Sequence, residues 1–138
     1  MNKQKGQALI EFALVLPFFL LLVFSLIYTG MLFHDYSTLS NIARTAARER
    51  AITENVETET LKGRYYDSAS NKFKYSLVTD LYLPDKLNDQ DAMSIDGPDD
   101  NGDIVVTIKM RLHESSPLME MVLPETYSVI YHMHKDYN

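Results

Sequence analysis

The stretch KQKGQALIEFALVLPFFLLLVFSLIYTG, residues 3 to 30, decides the architecture of this chain. A charge-free run extends from Phe12 to Phe33, and a membrane-spanning helix needs about 20 apolar residues to cross a hydrocarbon core of roughly 30 Å. A secretory signal peptide has a shorter apolar region of about 7 to 15 residues and ends in a small-x-small cleavage site. This run is longer and no A-x-A follows it, so it favours a membrane anchor over a signal peptide or a buried core helix.

The charges on either side of the run predict its orientation. Lys3 and Lys5 precede it, whereas the first charge after it is Asp35 and the first basic residue is Arg44. Because basic residues are retained on the cytoplasmic side, we expect a cytoplasmic N-terminus and an extracytoplasmic bulk. The net charge of -6 is unsuited to nucleic acid, and a chain without cysteine has neither disulfides nor thiol chemistry.

The helical pattern continues beyond the apolar run. No proline or glycine occurs between Met31 and Lys62, so the sequence predicts one helix from about residue 7 to the upper fifties. Arg44 and Arg48 project from its polar side, and its apolar face is rich in small residues, which permit close packing, although alanine also has the highest helix propensity. The predicted face consists of Leu32, Tyr36, Leu39, Ile42, Ala43, Ala46 and Val56, with Ala47 beside it.

The remaining residues predict an α+β fold in which the long helix packs with a short helix on a small antiparallel sheet of about three strands. Residues 53 to 68 are polar and indicate the helix end and a loop. Apolar residues four apart from Phe73 predict a short helix over 69 to 83, ending before Pro84, although the alternation of Phe73, Tyr75 and Leu77 weakly favours a strand. Alternation predicts strands at 92 to 96, 104 to 112 and 126 to 134.

Motifs for catalysis or metal binding are weak. His113, His132 and His134 have no spacing specific to zinc. The acidic turn from Asp96 to Asp103 does not fit the EF-hand frame, so a solvated hairpin turn is favoured over a calcium site. With no nucleophile or phosphate-binding motif, we expect no catalytic residue, no metal site, no cofactor and no enzymatic activity.

The opening stretch KGQALIEFALVLP resembles the processing site of type IV prepilins. More narrowly, it is similar to the TadE-like pseudopilins of the tight-adherence, or Flp pilus, apparatus. The resemblance is carried by Gly6, Gln7, Glu11, Phe12, Ala13, Leu14, Pro17, Ala43, Arg44, Ala46, Ala47 and Arg48. It is strong over residues 5 to 50 and weaker beyond, where the ending MHKDYN departs from the arginine-and-glutamate ending of many relatives.

This resemblance implies a leader at 1–6, a transmembrane helix at 7–33 and an extracytoplasmic domain at 34–138. A prepilin peptidase would cut after Gly6 and make Gln7 the new N-terminus. Glu11, with Phe12 beside it, would then compensate the amine of its own chain or of a neighbour during assembly, and Pro17 would mark a helix bend. An acid costs about 2.5 to 3.5 kcal/mol at the bilayer centre and less near the interface, so this cost argues against an accidental glutamate at position 11. The alternative is an interfacial Glu11 whose side chain extends to the lipid headgroups.

The implied protein is a minor pseudopilin of the cytoplasmic membrane that helps to assemble or export a pilus, and it would reach the cell surface if it enters the filament. Its expected partners are the lipid bilayer, the prepilin peptidase, other pilin-like subunits and pilus assembly proteins. The residues Leu39, Ile42, Ala43, Ala46 and Ala47 would form the helix-packing seam. A stand-alone membrane-anchored binding or sensing module, or a secreted domain released by signal peptidase, would be alternatives.

Overall fold

The computed structural model describes residues 3–53, 55–75, 77, 80–86, 90–113 and 117–135, with side chains omitted at 3–5 and 118. Three helices and six strands occur within these residues. In chain order they are α1 (Lys3–Ile52), α2 (Thr58–Tyr65), β1 (Tyr66–Asp67), β2 (Lys72–Phe73), β3 (Tyr82–Pro84), β4 (Met93–Asp96), β5 (Asp103–Leu112), α3 (Pro117–Val122) and β6 (Thr126–His134). The α+β prediction is confirmed.

The helix α1 runs unbroken through the apolar stretch and on into the folded domain. It ends at Ile52, several residues before the predicted end, because the chain turns back on the helix there. The Arg50 guanidinium donates to the carbonyl oxygen of Val56 over 2.9 Å and to that of Gly97 over 2.9 Å. Val56 therefore lies outside the helix, although it still packs against the core.

The main sheet is built around β5. On one side β6 pairs with it from Asp103↔His134 to Arg111↔Thr126. On the other side β4 pairs with its first half and β3 with its second half. The predicted strands at 92 to 96, 104 to 112 and 126 to 134 are confirmed as β4, β5 and β6, and β3 is an additional short strand at the same edge as β4.

The helix predicted over 69 to 83 is wrong, as is the loop predicted over 53 to 68. The helix instead occupies Thr58–Tyr65, and its C-terminal neighbours form the β1–β2 hairpin. Asp67 accepts hydrogen bonds from the Ala69 amide and the Ser70 hydroxyl, and Asn71 takes a left-handed φ of 52°. These turn contacts reverse the chain and outweigh the helical spacing of its apolar residues.

The core lies between one face of the sheet and the half of α1 that follows the apolar run. We call this half, which begins after Phe33, the outer half of α1, and we call it together with the elements that follow it the outer domain. Along β5, residues 104, 106, 108, 110 and 112 are buried while their neighbours alternate outward. The outward face is more polar and includes Lys109 and Arg111. A sheet with one covered face needs such alternation, and α1 provides the cover.

Candidate membrane anchor and processing site

The two halves of α1 have opposite surroundings. In the first half the apolar side chains project from the protein without a covering element. The residues exposed in this way include Leu9, Ile10, Phe12, Leu14, Val15, Phe18, Phe19, Leu22, Phe24 and Leu26. Within the described residues α1 is the helix long and apolar enough to cross a membrane, and none of its most apolar window is buried in the protein. An exposed apolar surface of this extent indicates a membrane or a protein partner.

The outer half of α1 forms one wall of the core. The five residues of the predicted seam are all buried there: Leu39, Ile42, Ala43, Ala46 and Ala47. Arg44 lies on the flank of the helix, with its guanidinium carbon 5.7 Å from the centre of the Tyr131 ring. The seam residues thus pack within the chain's own core and are not available to another helix.

Gly6, Gln7 and Glu11 lie within the first turns of α1. The side-chain amide of Gln7 donates to Glu11 Oε1 over 3.2 Å, one helical turn away. A Cβ added at Gly6 would have no heavy atom within 4 Å, so the space around the candidate scissile bond is open. Both Gln7 and Glu11 are exposed, which leaves the region accessible to another protein.

Phe12 and Pro17 lie further along the same helix. Phe12 is exposed. Pro17 is inside the helix and has no backbone N–H, so the carbonyl oxygen of Ala13 lacks its usual helical partner. The helix nevertheless continues to Ile52.

A tyrosine cluster lies where the outer domain meets the apolar half of α1. Tyr127 packs edge-on against Tyr82, with ring centroids 4.8 Å apart, and lies 6.1 Å from the Tyr36 ring. Burial raises the pKa of Tyr127, and the neighbouring Asp35 and Tyr82 raise it further. Asp35 itself is buried. The cluster fixes the end of the sheet to α1 at this level.

Sequence reasoning missed one feature of this region, the helix α3. This helix lies between the predicted strands at 104 to 112 and 126 to 134, where the sequence predicted no element. Met119 and Val122 of α3 face the apolar half of α1 across a cavity of about 450 Å³. The signal was present as three apolar residues and one acid within LMEM, but their partner on α1 lies too far away in sequence for a local pattern to identify.

Within the predicted histidine and acidic groups, His134 and Asp99 have local partners. His134 Nδ1 lies 2.8 Å from Asp103 Oδ1. In the hairpin turn, Asp99 Oδ1 accepts from the amides of Asn101 and Asp103. Across the described part of the chain, no three His, Cys, Asp or Glu residues are grouped so that they could hold a metal ion.

Comparison with known proteins gives a match to a family model that covers most of the first helix. No curated protein and no solved structure matches the chain. The family model described as TadE-like protein matches residues 6–48, and the predicted resemblance is thereby confirmed over the helix that carries Gly6, Glu11 and the buried alanines.

Proposed function

We propose that this chain is a TadE-like minor pseudopilin, a single-pass protein of the cytoplasmic membrane that supports the assembly or export of an Flp-type pilus. The main support for the proposal is that two features, the family match and an exposed apolar surface, occur on the same helix. The TadE-like match covers residues 6–48, and the same helix exposes its apolar half while its outer half is built into a domain.

The first element of the proposal is the anchor. The apolar half of α1 spans the bilayer with the N-terminus in the cytoplasm, as the positions of Lys3 and Lys5 favour. The outer domain then stands on the extracytoplasmic side. A continuous α1 supports this arrangement, because the rod that crosses the membrane is also the helix that covers the sheet.

The second element is processing by a prepilin peptidase between Gly6 and Gln7. The open space around Gly6 and the exposure of Gln7 support access by a peptidase. Cleavage creates a positive amine on Gln7, one helical turn from Glu11, whose carboxylate already accepts a hydrogen bond from the Gln7 side chain. Opposite charges one turn apart stabilise each other, and in a bundle of parallel helices Glu11 can instead pair with a neighbouring amine.

The third element is lateral assembly through the apolar half of α1. The seam of Ala43, Ala46 and Ala47 is occupied by the chain's own sheet. Docking on other pilin-like helices therefore uses the exposed stretch that includes Phe12, Phe18 and Phe33. The proposal gives the chain a structural role, with no catalytic step and no cofactor.

A complementation experiment tests the pilus role. The gene is deleted from cells that carry it, and surface pili are counted by electron microscopy before and after complementation. We expect the deletion to reduce piliation, the native chain to restore it, and Gly6→Ala to fail. Gly63→Ala is the matched control, because its new Cβ also has no atom within 4 Å. Unchanged piliation in the deletion strain would contradict the proposed role.

A further inference from the structure

The short helix α3 lies beside the apolar half of α1. Met119 and Val122 form one wall of the cavity of about 450 Å³. The opposite wall belongs entirely to α1, and its lining residues are Pro17, Leu20, Leu21, Phe24, Ser25 and Tyr28. The cavity is therefore lined mainly by apolar side chains and lies next to a helix surface that has no cover in the protein.

The side chains of α3 are sorted by polarity. Met119 and Val122 face α1, while Met121 projects outward and is 78% exposed. Glu120 is also exposed, but it lines a separate cleft together with Arg111 and Glu125 of the outer domain. Of the α3 side chains that the structure describes, Met119 and Val122 face α1 and also pack against the domain core, Met121 faces the surroundings, and Glu120 faces the polar part of the domain.

The length of the bilayer core places α3 at or below the outer membrane surface. If the core ends at Phe33, Leu21 lies about 18 Å inside it at 1.5 Å per residue, and α3 lies inside it as well. If the core ends at Tyr28, it begins about 20 residues earlier, near Ala8. The α1 residues that line the cavity, from Pro17 to Tyr28, then lie in its outer half, and α3 lies beside them. Tyr28 and Leu32 pack against the core of the outer domain, which favours the second position.

We propose that α3 is a second membrane contact of this protein. Met121 enters the outer leaflet, and lipid acyl chains fill the cavity between α3 and α1. Met119 and Val122, which also pack against the domain core, form the wall that these acyl chains contact. The membrane surface crosses α1 near Tyr28. The proposal rests on the anchor part of the proposed function. Lipid is the occupant because the cavity opens beside helix residues that must themselves contact hydrocarbon in a spanning chain.

This contact has a consequence for Glu11. A core that begins near Ala8 includes Glu11 about 4.5 Å inside its inner boundary, at 1.5 Å per residue. The outer domain is held against the membrane rather than raised above it. A second contact beside the span also restricts rotation and tilt of α1 relative to the bilayer.

Site-specific labelling tests the depth of α3. Because the chain has no cysteine, single-cysteine variants of the full chain can carry a fluorophore in phosphatidylcholine vesicles. The three variants are Phe18→Cys within the span, Met121→Cys on α3 and Ile52→Cys at the outer end of α1. These side chains are 71%, 78% and 82% exposed, so each substitution leaves the core intact, and Ile52 controls for an exposed apolar position far from the membrane.

Quenching by brominated lipid and by aqueous iodide separates the outcomes. We expect the labels at 18 and 121 to be quenched by brominated lipid and to be several-fold less sensitive to iodide than the label at 52. If 18 is in lipid while 121 is as sensitive to iodide as 52, the α3 contact is refuted and the anchor stands. If 18 is also accessible to iodide, the anchor itself is refuted.

Discussion

The side-chain amide nitrogen of Gln7 lies 3.2 Å from Oε1 of Glu11, one turn further along α1. This pairing places the carboxylate beside the residue that becomes the N-terminus if the leader is removed after Gly6. Two events can therefore be tested separately: cleavage of the chain after Gly6, and pairing of the new Gln7 amine with Glu11. A measurement of piliation alone would not distinguish them.

Substituting Glu11→Gln should leave cleavage intact and reduce assembly. The glutamine keeps the size of the side chain and a hydrogen-bond acceptor, but it removes the charge that compensates the Gln7 amine. Mass spectrometry should show the same mature N-terminus as in the native chain, while pilus counts should fall. Normal piliation with Glu11→Gln would show that charge pairing at this position is not needed.

Enlarging the alanine seam should destabilise the outer domain. Ala46 is fully buried against the sheet, so Ala46→Leu must displace its neighbours at a cost of about 1 to 3 kcal/mol. The measurement is the free energy of unfolding of the full chain in detergent. Thr45→Leu is the control, since Thr45 is exposed on the same helix; equal losses for the two variants would contradict a packed seam.

The glycine at position 97 should resist substitution. It has a φ of +98°, and an added Cβ would lie 2.2 Å from the carbonyl oxygen of Asp103. Gly97→Ala should therefore lower the free energy of unfolding by about 1 to 3 kcal/mol, the usual cost of backbone strain.

The opposite result is expected for Gly63→Ala within α2. The new methyl group has open space, and alanine in a helix is favoured over glycine by about 0.5 to 1 kcal/mol. Chemical denaturation of both variants provides the comparison. A Gly97→Ala variant as stable as Gly63→Ala would exclude the close approach of residue 97 to Asp103.

The ion pair of Lys62 and Asp91 should make the free energy of unfolding decrease at acidic pH. Lys62 Nζ lies 2.6 Å from Asp91 Oδ2, and the Ser68 hydroxyl donates to the same oxygen over 2.9 Å. The hydrogen bond from Lys62 holds the pKa of Asp91 below its usual value, against the opposing effect of burial, and Ser68 adds to the lowering.

Because the folded state favours ionised Asp91, its contribution is present above the unfolded pKa of about 3.9 and is lost as pH falls further. Asp91→Asn should remove this part of the acid-induced loss and lower stability near pH 7 by about 1 to 3 kcal/mol, since Lys62 loses a charged partner. Denaturation curves between acid and neutral pH measure the change. In a Lys62→Met background the same substitution should cost less at neutral pH; an equal cost would rule out coupling between the two residues.

The elements that the sequence predicted correctly are those whose residue pattern persists over many residues. The strand at 126 to 134 was predicted because apolar and polar residues alternate along it except at Ile130, and the structure has Thr126–His134. The long helix was predicted because no breaker interrupts it, although its end depends on the contacts of Arg50 with Val56 and Gly97. The contact of Arg50 with Gly97 joins segments that are far apart in sequence, so no pattern of neighbouring residues predicts it.

The errors occur where turn contacts and short elements decide the structure. Asp67 and Asn71 form a reversal inside a segment whose apolar spacing is helical. The strand β3 has three residues, too few for alternation to be recognised. The candidate processing site was located from the resemblance of the local stretch KGQALIEFALVLP to a known family, whereas the approach of α3 to Phe24 required the folded chain.

Processing is measured as the mass of the chain after coexpression with a prepilin peptidase. We expect loss of residues 1 to 6 from the native chain and an uncut Gly6→Ala variant. Because the new methyl group at Gly6 contacts nothing, a block in that variant reports recognition by the peptidase and not a damaged fold. An intact N-terminus on the native chain would contradict processing after Gly6 and favour a membrane-anchored binding or sensing module. A cut after the apolar run would also contradict it and would favour a secreted domain.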